Sequence, residues 1–198
     1  MVRIKSKGLF IVCEYVHTIF MILGIDKLHY LVKTKKLVEN LCEREMNNPE
    51  GAGFDLRLGE VYESQAGAGF LGEKERKTPA VKLIAQYGRD KYFIFKPGKY
   101  YLIKTIEKVN TPADILILFR PRTTMFRSGL AVFTGNASPG YCGELNFGLA
   151  NLGKSAIKIE LGARVVHAMF YQVKGKTHLY RGQWQGGRVS AKKKEKQV

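Results

Sequence analysis

The sequence is poor in residues that staple a chain or hold a metal. Its 198 residues include three cysteines, four histidines, six prolines and a single tryptophan. Cys13, Cys42 and Cys142 lie far apart, without a C-x-x-C pair or an even framework. That excludes a disulfide scaffold and a zinc ribbon, and it fits a reducing compartment. His17, His29, His167 and His178 form no ligand spacing, so no metal ligands are expected. The serine-hydrolase G-x-S-x-G and the zinc-deaminase H-x-E … P-C-x-x-C patterns are both missing. Long apolar runs are missing too. The stretch from Leu9 to Leu23 is broken by Glu14, His17 and Thr18, too short to span a bilayer, and not followed by a small-x-small cleavage site. Residues 1–20 therefore read as an extension or an upstream start, with Met21 as the natural beginning.

Acidic residues are scarce: 17 Asp and Glu stand against 33 Lys and Arg, a formal net charge of +16. The first 20 residues carry +2 of it and the last ten +3, so most of the excess lies in the body. A basic body suits anionic ligands such as nucleic acid or small polyphosphates, and equally suits plain solubility. What is plentiful is apolar: 45% hydrophobic and 11% aromatic residues, enough to offset ordering entropy in one domain.

A helical pattern runs from Asp26 to Arg44. Leu28, Leu31, Val32, Leu37, Val38 and Leu41 recur at three- and four-residue steps, with Asp26 as the cap and Asn47-Asn48-Pro49 as the stop. Short β-rich runs follow: Phe54–Tyr62, Val81–Tyr87, Tyr92–Phe95, Tyr100–Val109, Ile115–Arg120, Gly129–Thr134, Glu144–Asn151, Ala156–Leu161 and Arg164–Val173. Many short strands between turn signals predict a mainly β sandwich, jelly roll or small barrel. Residues 63–80 read as an inserted loop and 190–198 as a basic, disordered tail, leaving 21–189 as the domain.

Gly- and Arg-containing turns punctuate this scaffold. Gly51–Gly59 places Asp55 at a strand start, and Pro121–Gly129 sets Arg122 and Arg127 among the hydroxyls of Thr123, Thr124 and Ser128. Pro139-Gly140-Tyr141 is a tight turn presenting a ring, Gly162–His167 opens a strand, and Tyr180–Arg188 is a basic, aromatic segment. Each alone is ordinary turn chemistry.

In this order the turns resemble the dUTPase/dCTP deaminase superfamily. Gly51–Tyr62 resembles its first motif and Pro121–Gly129 its P-R-S-S-x-x-R-x-G motif, with Thr123 and Thr124 for the serines. Gly135–Gly153 is similar to I-D-x-G-Y-x-G … N-x-G, Leu161–Phe170 to G-x-R-I-A-Q-L-x-F, and Tyr180–Gly187 to Y-x-G-K-Y-Q-G. The resemblance covers about residues 21–189 and implies a distorted jelly roll (β-clip) with a short N-terminal helix. It also implies a cytoplasmic homotrimer with active sites between subunits, no role at membranes or on nucleic acid, and a pyrimidine deoxynucleoside triphosphate, dUTP or dCTP, as ligand. Mg²⁺ would be bound through the substrate triphosphate. Carried over, Arg122, Thr123, Thr124, Arg127, Ser128 and Gly129 match the phosphate-binding motif. Tyr141 matches the ring under the deoxyribose, and His167, Tyr180, Gln183 and Gln185 complete the substrate contacts.

Two marker residues depart from the pattern. The water-activating Asp before Pro-Gly-Tyr is Ser138, and a hydroxyl is no carboxylate base at pH 7. The deaminase Glu, three before the motif Asn, is Gly148; Glu144 lies four residues off, about 13 Å along a strand. His167 also stands where Gln is usual. Ser138, Asp55 and Arg127 are the catalytic candidates that remain. Pyrophosphate cleavage depends more on Mg²⁺ and positioning than on the deaminase Glu. The expected activity is therefore dUTP diphosphatase first, with dCTP deaminase, alone or in one bifunctional protein, as the alternative. A non-catalytic nucleotide-binding trimer is the third reading.

Overall fold

A computed structural model describes residues 21–191 and 193–196; the segment read as an extension, residues 1–20, lies outside the described residues. In chain order the elements are α1 (Ile25–Lys35), β1 (Val38–Glu39), α2 (Glu43–Asn47), β2 (Phe54–Ser64), β3 (Phe70–Leu71), β4 (Glu75–Lys77), β5 (Val81–Gln86), β6 (Tyr92–Phe95), β7 (Tyr100–Asn110) and β8 (Ile115–Pro121). They continue with α3 (Thr123–Arg127), β9 (Leu130–Phe133), β10 (Asn136–Ala137), β11 (Cys142–Asn151), β12 (Ile157–Glu160), β13 (Arg164–Gln172) and β14 (Glu195–Lys196). Nine of these strands form one curled sheet in the order β10-β8-β13-β2-β7-β11-β9, with β1 added to β7 and β5 to β2. The mainly β expectation holds.

Two-residue alternation drives this architecture. Along β7, Tyr101, Ile103, Thr105, Glu107 and Val109 are buried while their neighbours are more exposed, so one face of the strand meets the core. Strand β2 is buried on both faces, because it changes partners along its length. Phe54–Arg57 pair with β13, and Leu58–Glu63 pair with β7. The register slips between Leu58 and Glu60, and this bulge bends the strand so that one sheet curls over itself. Gly59 permits the bend: a Cβ there would lie 3.0 Å from the Thr105 and Ile106 backbone. Phe54, Leu56, Ile103, Ile117, Leu149 and Phe170 fill the interior between the two halves. The chain before α1 joins the same sheet, with Leu23 donating its N–H to the Phe170 carbonyl at 2.8 Å.

Three local expectations are corrected. The helix predicted over Asp26–Arg44 stops at Lys35, because Lys36 turns left-handed (φ 52°), its N–H bonding the Val32 carbonyl and the Leu37 N–H the Leu31 carbonyl. Leu37 and Val38 are buried all the same, with Val38 in a strand against Val109. Asp26 sits inside the first turn, where it complements the helix dipole, and Gly24 takes the cap position. The segment 63–80, read as a loop, contains the end of β2 and the β3–β4 hairpin. The tail is not wholly irregular either: Glu195 and Lys196 pair with Arg76 and Glu75, completing a three-stranded sheet β14-β4-β3.

Candidate active site

The residues singled out in the sequence separate into three groups. The first surrounds Asp55, which is 3% exposed. Its strand partner in register is His167, whose Nδ1 lies 2.9 Å from Asp55 Oδ1. Asp55 Oδ2 receives Arg122 and, at 3.0 Å, Arg164. Glu45 on α2, 1% exposed, accepts the Asp55 N–H at 2.9 Å and pairs with Arg44. Two buried carboxylates thus hold three guanidiniums drawn from α2, the end of β8 and β13. Burial lowers the Arg122 pKa, and the neighbouring Arg164 lowers it further. Burial also holds the His167 imidazole below its usual pKa, and the neighbouring Arg122 charge lowers it further. A neutral His167 then donates its Nδ1–H to Asp55. Gly53 packs against this pair so closely that a Cβ would fall 2.7 Å from His167 Nε2 and 2.1 Å from the Ala168 carbonyl. Arg122 is also the N-cap residue of α3, so the cluster fixes the entry to that helix.

The second group is α3 itself. Thr123, Thr124 and Arg127 are exposed and Ser128 and Gly129 half-buried, on a five-residue helix that the sequence reading treated as a turn. Gly129 is left-handed (φ 80°) and approaches Gly153 so closely that a Cβ would meet the Gly153 Cα at 2.9 Å. None of these residues lines the cavity of its own chain.

The third group does line a cavity, of about 570 Å³. Ser138 and Tyr141 bracket its turn, closed by a Tyr141 N–H bond to the Ser138 carbonyl at 3.0 Å. Gly140 takes the left-handed corner (φ 82°) that any side chain would strain. Tyr141 is 7% exposed and donates its hydroxyl to the Glu144 carbonyl at 2.6 Å; burial pushes its pKa up to about 12. Tyr180 packs edge-on against the Tyr141 ring, with centroids 5.3 Å apart. Gln185 clasps the same turn, accepting from the Cys142 N–H and donating to the Gly140 carbonyl. Gln183 contributes differently: both atoms of its side-chain amide are buried and without a partner among the described residues.

The sequence reading missed several walls of this cavity. Tyr100, Leu102, Phe119, Asn146, Phe147 and Trp184 line it. Their only signal was position on strands already predicted, or beside the Tyr180 arm. Among the described residues no Asp or Glu lines it. Glu144 instead faces a smaller cavity of about 150 Å³, beside Glu60 and Lys104. Two strings match phosphate-loop patterns by letter alone. Gly148–Ser155 reads G-x-x-x-x-G-K-S but lies on β11 and the turn after it, and Gly67–Gly72 reads G-x-G-x-x-G but runs into β3. Neither opens a helix, so neither supplies the N-terminal amides a phosphate loop needs.

A curled mainly β sheet, with a cavity walled by a Pro-Gly-Tyr turn and a returning C-terminal arm, defines the class of fold. The chain belongs to the dCTP deaminase-like family, whose description matches residues 22–173. It is 33% identical over 134 residues to a probable deoxyuridine 5'-triphosphate nucleotidohydrolase of Methanothermobacter thermautotrophicus, covering 68% of this chain and 85% of that one. It is 25% identical over 157 residues to a dUMP-forming dCTP deaminase of Dictyoglomus turgidum, covering 77% and 81%. The crystal structure of 2'-deoxycytidine 5'-triphosphate deaminase from Agrobacterium tumefaciens superposes with a TM-score of 0.60 at 16% identity. That match covers 77% of this chain and about half, 48%, of that one, and it bears on the fold alone.

Proposed function

We propose that this protein hydrolyses a pyrimidine deoxynucleoside triphosphate and acts as a dUTP diphosphatase, converting dUTP to dUMP and pyrophosphate. One observation carries the choice. Gly148, where a deaminase would place its proton-shuttling Glu, has no side chain and the Tyr100 ring lies across the position, and among the described residues no Asp or Glu lines the cavity that Tyr100 walls. Deamination must protonate the base and activate water at a ring carbon, which a glycine cannot assist. Hydrolysis at phosphorus relies more on positioning and charge neutralisation, which Arg122, Arg127 and the α3 hydroxyls are suited to give.

Among the described residues no cluster of three His, Cys, Asp or Glu could hold a metal ion. Mg²⁺ would therefore arrive on the triphosphate oxygens, where it neutralises charge. The role of this chain's residues is to seat the nucleotide: Tyr141 and Tyr180 offer an aromatic wall, and Ser138 a hydroxyl beside it. Asp55 serves as a positioning residue that holds Arg122, and it stands outside the cavity. Because α3 presents Arg127, Thr123 and Thr124 away from the cavity of its own chain, a homotrimer would bring them to the cavity of a neighbouring copy. A cytoplasmic site of action belongs to the same reading. No helix among the described residues is long and apolar enough to cross a membrane.

A second reading, dCTP deamination coupled to hydrolysis, is favoured by the likeness to the Dictyoglomus protein. The deciding experiment is incubation with dUTP and with dCTP in Mg²⁺, followed by nucleotide chromatography. Pyrophosphate and dUMP from dUTP support the proposal, ammonia from dCTP supports the second reading, and tight binding without turnover overturns both. Arg127→Ala should weaken a non-hydrolysable dUTP analogue by about tenfold or more, the scale of a lost charge-assisted contact, and leave deoxyuridine binding unchanged. Equal losses for both ligands would make Arg127 structural.

A further inference from the structure

Gly148 sits in the middle of β11, paired with Leu102 on one side and Phe133 on the other. Its backbone is not in the left-handed region, so conformation does not demand a glycine there. Space does. A Cβ at this position would lie 2.7 Å from the Tyr100 hydroxyl, 3.1 Å from its ring and 3.2 Å from Phe133. The missing side chain leaves room for the Tyr100 ring over the strand, with the Phe133 ring tilted against it at 6.3 Å between centroids. The Tyr100 hydroxyl makes no hydrogen bond among the described residues, although the residue lines the cavity. Burial raises the Tyr100 pKa, so the phenol is a neutral donor and acceptor at physiological pH.

Its surroundings decide what it can meet. Leu102, Phe119, Leu145 and Phe147 make this cavity largely apolar, and Arg188, on the C-terminal arm, is the single charged residue lining it among the described residues. An apolar wall penalises a triphosphate, which would lose hydration without gaining cations. It suits a planar base, whose faces are apolar and whose edge needs few hydrogen bonds. We infer that Tyr100, given room by Gly148, is a specificity-determining residue whose hydroxyl bonds the polar edge of the pyrimidine. This rests on the pyrimidine-nucleotide reading of the cavity and adds to it the group that contacts the base. The same pair makes the site a binder of the base and not a reagent upon it, because a neutral phenol fills the space an acid would need.

Titration calorimetry on the full-length protein, with α,β-imido-dUTP and separately with inorganic tripolyphosphate, tests the inference. Tyr100→Phe keeps the ring and removes one neutral hydrogen bond, so imido-dUTP should bind about 2- to 10-fold more weakly. Tripolyphosphate, which has no base, should bind both forms equally. Gly148→Ala should displace the ring and weaken imido-dUTP at least as much, and adding Tyr100→Ala to it should cost nothing further. If Gly148→Ala does not fold, Tyr100→Phe decides alone. Imido-dUTP binding by Tyr100→Phe at the affinity of the natural chain overturns the inference and leaves the nucleotide reading standing. A natural chain that binds no imido-dUTP overturns the reading, and the inference with it.

Discussion

The Asp55 cluster and the Ser138–Tyr180 cavity are built in opposite ways. In the cluster, partners are neighbours in strand register: His167 faces Asp55 across a ladder, and Asp55, Glu45, Arg44, Arg122 and Arg164 each have a counter-charge. In the cavity, the walls are assembled from several strands and the C-terminal arm, and among the described residues the lining side chain Asn146 keeps a buried Oδ1 without a hydrogen-bond partner. Buried polar groups are normally satisfied. On the proposed reading, the cluster fixes Arg122 and the strands around it, and the cavity is the place for the ligand.

The sharpest way to test that division is to move a carboxylate into the cavity. Ser138→Asp should raise dUTP hydrolysis, since a positioned general base contributes about 10²–10⁴-fold. The initial rate of pyrophosphate release reads this directly. An unchanged rate with intact nucleotide binding would place water activation elsewhere.

Removing a carboxylate from the cluster should act on stability instead. Asp55→Asn leaves Arg122 and Arg164 facing a neutral amide, and breaking a buried pair of this kind costs about 3 kcal/mol. Urea denaturation measures it; a loss under about 1 kcal/mol would mean that the guanidiniums are adequately hydrated through their exposed edges.

A smaller effect is expected where the arm meets the sheet. A Cβ at Gly143, whose φ is 145°, would lie 2.5 Å from the Gly187 nitrogen. Gly143→Ala should therefore lift the arm, at about 1–3 kcal/mol of strain, while the core unfolds at nearly the same temperature. Faster tryptic cleavage at Arg181 and Arg188 would report the release. Unchanged cleavage would show that the arm accommodates the methyl group in place.

The smallest effect is a pH dependence. Because the folded His167 pKa lies below its reference of 6.5, the unfolded chain binds the proton more readily. The contribution to stability is thus fully present above about pH 6.5 and is lost as pH falls through the folded value. His167→Gln should flatten the unfolding midpoint across this acid limb. A slope identical to that of the natural chain would assign it to another group.

The sequence alone was enough for the β-rich class, the positions of most strands and the ordered turns that carry the family likeness. Alternation and glycine punctuation are local signals, and they survive in any context the chain adopts. It was not enough for the segment after Lys35. There Leu37 and Val38 keep helical spacing, but two left-handed residues, Lys36 and Asn40, and pairing with β7 outweigh it. Nor did it reveal that Pro121–Gly129 holds a helix, that residues 195–196 return to pair with β4, or that Tyr100 covers Gly148. Tyr100 and Gly148 are 48 positions apart, and nothing in either neighbourhood pairs them. Only the β7–β11 ladder brings them together, because register, and not composition, decides which side chains share a wall.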